Sequence, residues 1–415
     1  MNAAREIIES RLSRLEFTVL MSTIMAVGAL AIDMMLPAFG EMREHFGLAA
    51  DSNALAAVVT LFLVGLGVGQ PLWGPLSDSL GRKRVLWAGL SIYIVAAVIA
   101  AFSPSLPVLL AFRFLGGFGA GAARVVSQGV IRDAYAGEQM AKILSYIMAV
   151  FILVPIIAPS VGSAVLAVSG WQTIFFVIAG FGVFGILWSS RLPETLPPER
   201  RIPLSFTKLA RGAKAVMTSR FAMGFTLAQT LVFGFFASYL ASSQLIIDDV
   251  FNLGVWFPII FGAQAALLGT GMLFNPRLID RFGLRRLLQL VLAGYVVSSL
   301  WFLAIGLATG GTPPFWLFLA GLAPILICHA FVIPNLNSAA MIPMGNVAGT
   351  AAAVIGSIAT LGGALIGAVI DSTYDGTTLP LMIGSAVVCS VGYAFYRWSD
   401  AVWDEATAEQ LTPTS

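Results

Sequence analysis

The chain has 415 residues, of which 58% are hydrophobic and only 11% are charged, and its mean hydropathy is +0.89. Soluble globular domains are about 45–50% apolar and about 25% charged, so the composition excludes a soluble protein. A net charge of +2 does not indicate a nucleic-acid partner, and two cysteines and two histidines are too few for a disulfide framework or a metal centre. We therefore expect an integral membrane protein without metal or cofactor.

Apolar runs of about 20 residues follow one another along the whole chain, and a helix of that length spans a hydrocarbon core of about 30 Å. No cleavable signal peptide is expected, because the first run is itself of spanning length. The twelve predicted spans are 17–39, 54–76, 85–102, 106–131, 143–167, 171–190, 221–247, 251–274, 287–308, 313–334, 347–370 and 379–398.

The distribution of Lys and Arg predicts the orientation, because these residues accumulate in cytoplasmic loops. If both termini are cytoplasmic, all but three of the 23 cations lie in inner segments. Arg43 lies in an outer loop together with Asp51, and Arg113 and Arg124 fall inside the fourth span. This asymmetry predicts twelve spans with both termini in the cytoplasm.

A break in hydropathy at residues 191–219, with four prolines and many charges, predicts a cytoplasmic linker. The predicted domains are an N-terminal six-helix bundle at 1–190, this linker, and a C-terminal six-helix bundle at 220–415 that ends in a short cytoplasmic tail. A weak internal repeat supports the division, because similar loops follow the second and the eighth spans. Paired halves of this kind are typical of alternating-access carriers. The two loops read Asp78-Ser-Leu-Gly81-Arg82-Lys83-Arg84 and Asp280-Arg281-Phe282-Gly283-Leu284-Arg285-Arg286.

Asp33 is the only acidic residue well inside a predicted span. Because an ionised carboxylate in the membrane is costly unless it is paired or hydrated, we interpret Asp33 as a proton-coupling site. Asp33 precedes the outer end of its span by about 9 Å, and Arg113 follows the outer start of its own by about 10 Å. The pair is therefore predicted to share one depth and to carry proton coupling together. The alternative is that Asp33 only neutralises an arginine.

Arg124 lies close to the face of the fourth span that carries Arg113, about 16 Å deeper. We predict that both arginines line a substrate cavity with Asp33, although Arg124 could instead extend to the membrane interface. His329 is interpreted as a hydrogen-bonded packing residue, with a proton relay as the alternative. Four further polar residues are predicted to line the cavity, although such residues also hold helices together. They are Gln229, Gln264, Asn335 and Asn337.

The loop at 78–84 is interpreted as the latch of a cytoplasmic gate. Asp78 can accept hydrogen bonds from Arg82 or from helix amides, while glycines allow close approach and a tight turn. Its three cations could be only a topological signal, but such a signal would need neither the aspartate nor the glycines. The predicted gating residues are Gly74, Asp78, Gly81, Arg82, Arg84, Asp280 and Gly283.

Pro155 and Pro159 stand four residues apart in the fifth span, and each removes a backbone hydrogen bond, so a bend is expected there. Gly162, with Gly363 and Gly367 of the eleventh span, is predicted to allow close packing where the two halves meet.

Several of these motifs together resemble the major facilitator superfamily. Gly74-Pro-Leu-Ser77-Asp78-Ser-Leu-Gly81-Arg82-Lys83-Arg84 resembles its signature loop, and Arg113 with the small residues after it resembles its fourth-helix motif without the usual glutamine. Pro155-Ile-Ile-Ala158-Pro159-Ser-Val-Gly162 is similar to the proline-glycine motif of drug:proton antiporters. A finer likeness is to the Bcr/CflA subfamily, whose members export bicyclomycin and chloramphenicol. It rests on Asp33-Met34-Met35-Leu36-Pro37-Ala38, Asn275-Pro276-Arg277-Leu278, Arg281-Phe282-Gly283 and Pro334-Asn335.

The resemblance implies an all-α membrane protein with twelve transmembrane helices in two six-helix pseudo-repeats, the major facilitator fold. It also implies a proton-coupled drug exporter of the bacterial inner (plasma) membrane that functions as a monomer. The abundant Phe, Met and Trp suit an adaptable apolar cavity. Protons, a small-molecule substrate and lipid are the expected partners, without nucleic acid.

Two alternatives stay open: a proton symporter that imports a small metabolite, and an intramembrane enzyme. An enzyme would need a nucleophile–base pair or metal ligands at membrane depth, which two histidines and one buried acid scarcely provide. A motor driven by ATP within this chain is not expected, because the sequence contains no Gly-x-x-x-x-Gly-Lys-Ser/Thr loop.

Overall fold

The computed structural model describes residues 3–49 and 52–406. The ends of the two predicted bundles, at 1–2 and 407–415, and Asp51 of the predicted outer loop lie outside these ranges. Within them, twelve helical segments are long and apolar enough to cross a membrane, which confirms the predicted number of spans. The described residues form helices and connecting loops, as an all-α membrane fold requires.

The described helices fall into two compact units. The first unit comprises Met1–Leu48 with Leu61–Leu209, and the second comprises Ala49–Thr60 with Ala210–Ser415. Helix α4 therefore begins in the second unit and continues in the first, and α9 crosses the division within the predicted linker. The helices up to this point are α1 Ala3–Glu9, α2 Arg14–Asp33, α3 Phe39–His45, α4 Ala56–Leu80, α5 Arg82–Ala101, α6 Leu106–Ala134, α7 Gly137–Leu166, α8 Trp171–Ser189 and α9 Phe206–Thr218.

Six long helices follow in the second unit. The first of them, α10, continues as a wider π-helical turn at Ile246–Val250. The six are α10 Arg220–Leu245, α11 Phe257–Phe282, α12 Leu284–Ala308, α13 Phe315–Ala340, α14 Ala348–Asp371 and α15 Leu379–Asp400.

The small residues of α6 explain the close packing of the first unit. A Cβ atom at Gly117 would overlap the backbone carbonyl of Phe62 in α4. On the side of α6 that packs on α5, a Cβ at Gly119 would lie 2.5 Å from the carbonyl oxygen of Gly89. Because two neighbouring helices touch the backbone of α6, packing requires glycine at Gly117 and Gly119 in the small-residue run after Arg113.

Glycines also allow close packing of α10 and α14 in the second unit. A Cβ at Gly367 would lie 2.9 Å from the backbone nitrogen of Ser238, and one at Gly363 would lie 3.2 Å from the carbonyl oxygen of Thr230. Both predicted packing glycines thus serve contacts inside the second unit. A role for them where the two halves meet stays a prediction.

Candidate functional site

Asp33 is the last residue of α2, where the predicted first span is interrupted. A 3₁₀ turn at Leu36–Ala38, with Pro37 inside it, separates α2 from α3. The Asp33 side chain is only 4% exposed, and no hydrogen bond or ion pair reaches it from the described residues. A buried carboxylate without a partner is costly while it is ionised. This environment therefore suits a group that exchanges a proton.

Arg113 is buried in α6, with its guanidinium carbon 4.4 Å from the centre of the Phe62 ring. This cation–π contact compensates part of the cost of burying the cation. Asp33 and Arg113 belong to the same unit but form no ion pair with each other. Their electrostatic coupling therefore stays a prediction. Arg124, further along α6, is exposed.

The polar residues predicted for the second unit divide into paired and unpaired groups. Asn335 donates to the side-chain oxygen of Asn275 at 2.8 Å, which joins α13 to α11. Gln264 of α11 accepts a hydrogen bond from the Tyr239 hydroxyl of α10. Gln229 is 8% exposed, and its side-chain oxygen has no partner among the described residues. Asn337 is exposed, so only some of these residues act as links between helices.

His329 lies in α13 within the same unit. Its Nδ1 is 3.0 Å from the Tyr295 hydroxyl, and its ring stacks on Phe236 with the centroids 4.3 Å apart. These contacts are those of a hydrogen-bonded packing residue.

The predicted latch is built around Arg82, the first residue of α5, which is 4% exposed. Its guanidinium donates to Asp78 at 2.5 Å and to the Ser77 hydroxyl at 2.7 Å. It also donates to Asp133, near the end of α6, at 2.9 Å through Nε. A Cβ at Gly129 would lie 3.1 Å from the guanidinium carbon, so α6 leaves room for this side chain. Arg82 thus joins the end of α4, the start of α5 and the end of α6.

Glu194, in the segment after α8, caps the start of α5. Its two carboxylate oxygens accept hydrogen bonds from the backbone N–H groups of Arg82 at 2.9 Å and of Lys83 at 3.2 Å. A negative charge at a helix N-terminus satisfies free amides and is favoured by the helix dipole. Thr195 donates to Asp133 at 3.1 Å, so the predicted linker is part of the same network.

The sequence interpretation did not include Asp133, Glu194 or Thr195. A usable signal was the acidic residue directly after Pro193, at the start of the linker. Its partner, however, lies 112 positions away along the chain, and no local pattern predicts such a contact.

The glycines of the latch differ in what they do. Gly81 has a φ of 99° and ψ of 152°, a conformation that is essentially restricted to glycine. A Cβ at Gly74 would make only an ordinary contact with Val125 at 3.7 Å, so packing in the described residues does not require glycine there. Arg84 is exposed. Gating roles for these residues stay predictions.

The matching loop of the second unit has other charge partners. The Asp280 side chain is exposed and makes no hydrogen bond or ion pair within the described residues. Arg285 instead donates to Asp400 at 2.9 Å and to Asp404 at 2.8 Å. Gly283 has a φ of 74°, so the tight turn before the helix is the same as at Gly81.

Helix α7 runs through both Pro155 and Pro159 without ending. A Cβ at Gly162 would overlap the carbonyl oxygen of Met34, the residue after Asp33. Gly162 therefore lets α7 approach the backbone that carries the buried acid.

The fold and these motifs agree with comparison to known proteins. The sequence model of the Major Facilitator Superfamily matches residues 21–367. The chain belongs to the major facilitator superfamily. It is therefore a multi-pass membrane transporter of small molecules and not an enzyme.

Among curated relatives, the chain is 28% identical to a "Bicyclomycin resistance protein homolog" of Haemophilus influenzae, over 88% of this chain and 91% of that one. It is 30% identical to a "Chloramphenicol resistance protein" of Pseudomonas aeruginosa, over 84% and 81% of the two chains. It is 27% identical to a "Multidrug resistance protein MdtL" of Klebsiella pneumoniae, over 87% of this chain and 89% of that one.

Solved structures show the same fold. The xylose transporter XylE of E. coli, in a partially occluded inward-open conformation, superposes with a TM-score of 0.74 at 13% identity, over 92% of this chain and 97% of that one. The human organic anion transporter MFSD10 superposes with a TM-score of 0.69 at 19% identity, over 94% and 100%.

Proposed function

We propose that this transporter exports small amphipathic compounds, including antibiotics, in exchange for protons by alternating access. The observation that carries the proposal is the buried carboxyl of Asp33, which no described residue pairs with. Two of the relatives are named for resistance to bicyclomycin or to chloramphenicol, which supports an antibiotic as the substrate.

In this mechanism Asp33 binds a proton from the outside and the substrate leaves; release of the proton to the cytoplasm restores the site. One proton that enters down about 100 mV yields about 2.3 kcal/mol. A gradient of one pH unit adds about 1.4 kcal/mol. Because each 1.4 kcal/mol is tenfold, one-for-one exchange of a neutral compound sustains a gradient of several hundredfold.

The protein is proposed to act as a monomer in the bacterial inner membrane, with both termini in the cytoplasm. The cation asymmetry of the loops supports this orientation. Thiol labelling of single cysteines placed at Glu199 and at Glu44, in opposite predicted compartments, tests it. Labelling of the Glu44 position alone from outside intact cells is the expected result.

The test of function is Asp33→Asn, which fixes the site in its neutral state. With purified protein in liposomes and chloramphenicol as the probe, wild type is expected to concentrate the drug when a proton gradient is applied. The variant should lose this accumulation while downhill exchange survives. Glu199→Gln, at an exposed acid of a 3₁₀ turn, is the matched control and should behave as wild type.

Two results would contradict the proposal. If Asp33→Asn still concentrates drug against a gradient, coupling runs through another group. If the proton gradient drives the compound in the same direction as the protons, the protein is a symporter.

A further inference from the structure

Asp371, the last residue of α14, is a second carboxyl buried in the protein. It is 7% exposed, and one of its oxygens, Oδ1, accepts hydrogen bonds from the hydroxyls of Ser238 and Ser242, both at 2.6 Å. The two serines stand one turn apart on α10. The other oxygen, Oδ2, is buried and has no partner among the described residues.

The backbone around this carboxyl is built for close approach. Gly367 lies one turn before Asp371 on α14, and a Cβ there would lie 2.9 Å from the backbone nitrogen of Ser238 and 3.1 Å from the carbonyl oxygen of Gly234. Only small residues at this crossing let α14 come near enough to α10 for both serines to reach one oxygen.

No positive charge among the described residues compensates Asp371. The groups that act on its carboxyl are the two serine hydroxyls. The ionisable residues nearest to it along the packed elements are Tyr239 on α10, Asp248 and Asp249 in the π turn beyond α10, and Tyr374 and Asp375 after α14. Residues 52–60, and residues 379–388 at the start of α15, carry no ionisable side chain. None of these groups is a cation.

A proton is the neutralising partner that the geometry accommodates. In a protonated carboxyl, one oxygen remains a carbonyl that accepts hydrogen bonds and the other carries the proton. Oδ1 already accepts two hydroxyl bonds, which leaves Oδ2 as the position for the proton. An ionised carboxylate at the same place would leave a charged oxygen buried without a donor.

The backbone of Asp371 also holds a loop across this end of α14. Its carbonyl oxygen accepts hydrogen bonds from the side-chain amide of Asn53 and from the backbone N–H of Tyr374. Asn53 lies in the segment Ala49–Thr60, which belongs to the second unit. In the proposed orientation this is the outer end of α14, the side from which protons enter.

We infer that Asp371 binds a second proton in each transport cycle. The inference rests on the proposed exchange of protons for substrate and extends it, because Asp33 and Asp371 lie in different units and each supplies one proton. Ser238 and Ser242 are positioning residues that hold the carboxyl.

Infrared difference spectra of the purified protein between acid and alkaline pH test proton binding without any substrate. We expect the spectrum of Asp371→Asn to lack one carboxylic C=O band that wild type shows. Asp375→Asn, at an exposed acid four residues further on, should retain that band. The double variant Ser238→Ala with Ser242→Ala keeps the carboxyl, and the loss of two donors to Oδ1 should move its band to higher frequency. This variant also serves if Asp371→Asn does not fold.

The proton-to-substrate ratio in liposomes tests the role in transport. With chloramphenicol as the probe, Asp371→Asn is expected to still export actively, with a ratio lowered by one proton. Asp33→Asn is instead expected to abolish active export, because in the proposed function Asp33 is the group that exchanges the substrate for a proton, so the two variants separate this inference from the proposed function.

Each contrary result has its own meaning. An unchanged band in Asp371→Asn, or a band that responds to Na⁺ at constant pH, overturns the proton site. An unchanged ratio overturns its role in coupling. If wild type shows the band but exports nothing, the proposed function fails while the carboxyl still binds a proton.

Discussion

The loop before α5 and the loop before α12 share a backbone and differ in their charges. Each turns at a glycine with positive φ, 99° at Gly81 and 74° at Gly283, and then begins a helix with basic residues. Arg82 is buried and forms ion pairs with carboxylates on two helices of the first unit. The Arg285 side chain is 35% exposed and is bound by acids at the C-terminal end of the second unit.

The difference shows that a repeated loop can keep its backbone geometry while its charge partners change. In the first loop, one arginine and one glutamate join α4, α5, α6 and the predicted linker, so none of these segments moves without breaking a hydrogen bond. In the second loop, the described contacts of the arginine are with Asp400 at the end of α15 and with Trp403 and Asp404 beyond it. These contacts support a latch at Asp78 and an anchor for the C-terminal tail at Arg285.

The largest contrast is expected between Arg82→Ala and Arg285→Ala. Arg82→Ala removes a buried cation that pairs with Asp78 and with Asp133, whose side chain is 15% exposed, and breaking such a buried pair costs about 3–5 kcal/mol. Arg285→Ala should cost about 1 kcal/mol or less, because its pairs are partly solvated. Unfolding of both variants in detergent measures the difference. Equal losses of stability would refute the distinction between latch and anchor.

A smaller contrast is expected between the two turn glycines. Both conformations cost about 1–3 kcal/mol for a residue with a Cβ. At Gly81 the added Cβ would also lie 2.7 Å from Oε2 of Glu194, whereas at Gly283 it would meet nothing within 4 Å. Gly81→Ala should therefore lower the melting temperature more than Gly283→Ala. The reverse order would show that the Glu194 cap is not formed in the membrane protein.

Glu194→Ala tests the helix cap, which has no counterpart at the start of α12 among the described residues. Removal of a cap costs about 1 kcal/mol. Glu194→Gln retains one oxygen as an acceptor and should recover part of the loss. Hydrogen exchange at the amides of Arg82 and Lys83 locates the effect, since protection should fall at these two positions first. Unchanged protection in Glu194→Ala would contradict the cap.

The smallest expected effect is that of Asp78→Asn on drug affinity. The change weakens one contact of the latch, so the transport rate should fall while drug affinity stays within about threefold, under about 0.7 kcal/mol. Asp280→Asn should lower the rate less, because the Asp280 carboxylate makes no hydrogen bond or ion pair among the described residues. Binding and transport assays on the same preparation separate the two quantities. Loss of affinity in Asp78→Asn would assign the residue to the substrate site.

Hydropathy was sufficient for the number and order of the spans, but not for the ends of the helices. The fourth span was predicted to end at 131 and the eighth at 274, whereas α6 reaches Ala134 and α11 reaches Phe282. These helices continue with polar residues beyond the apolar run, where a hydropathy signal stops. The first span shows the opposite error, because an apolar run hid the break after Asp33.

The site was predictable where its contacts are local. Asp78 and Arg82 are four residues apart at a helix junction, and their contact follows from that spacing. Contacts with Asp133 and Glu194 depend on tertiary packing. Asp371 was missed because it stands one position beyond the predicted end of its span. The depth of a residue in the membrane also does not determine which way its side chain points around the helix axis. For this reason the equal depth predicted for Asp33 and Arg113 did not establish a contact between them.

The contact of Gly162 with the Met34 carbonyl constrains how this transporter can evolve. Every amino acid other than glycine adds a Cβ, and that atom would overlap the backbone next to Asp33. We therefore expect every missense change at codon 162 to be costly, although glycine has no side chain to bind a drug or a proton. In a population selected on successive antibiotics, variation should accumulate at exposed positions such as Arg124 and Asn337 while position 162 accepts only synonymous changes.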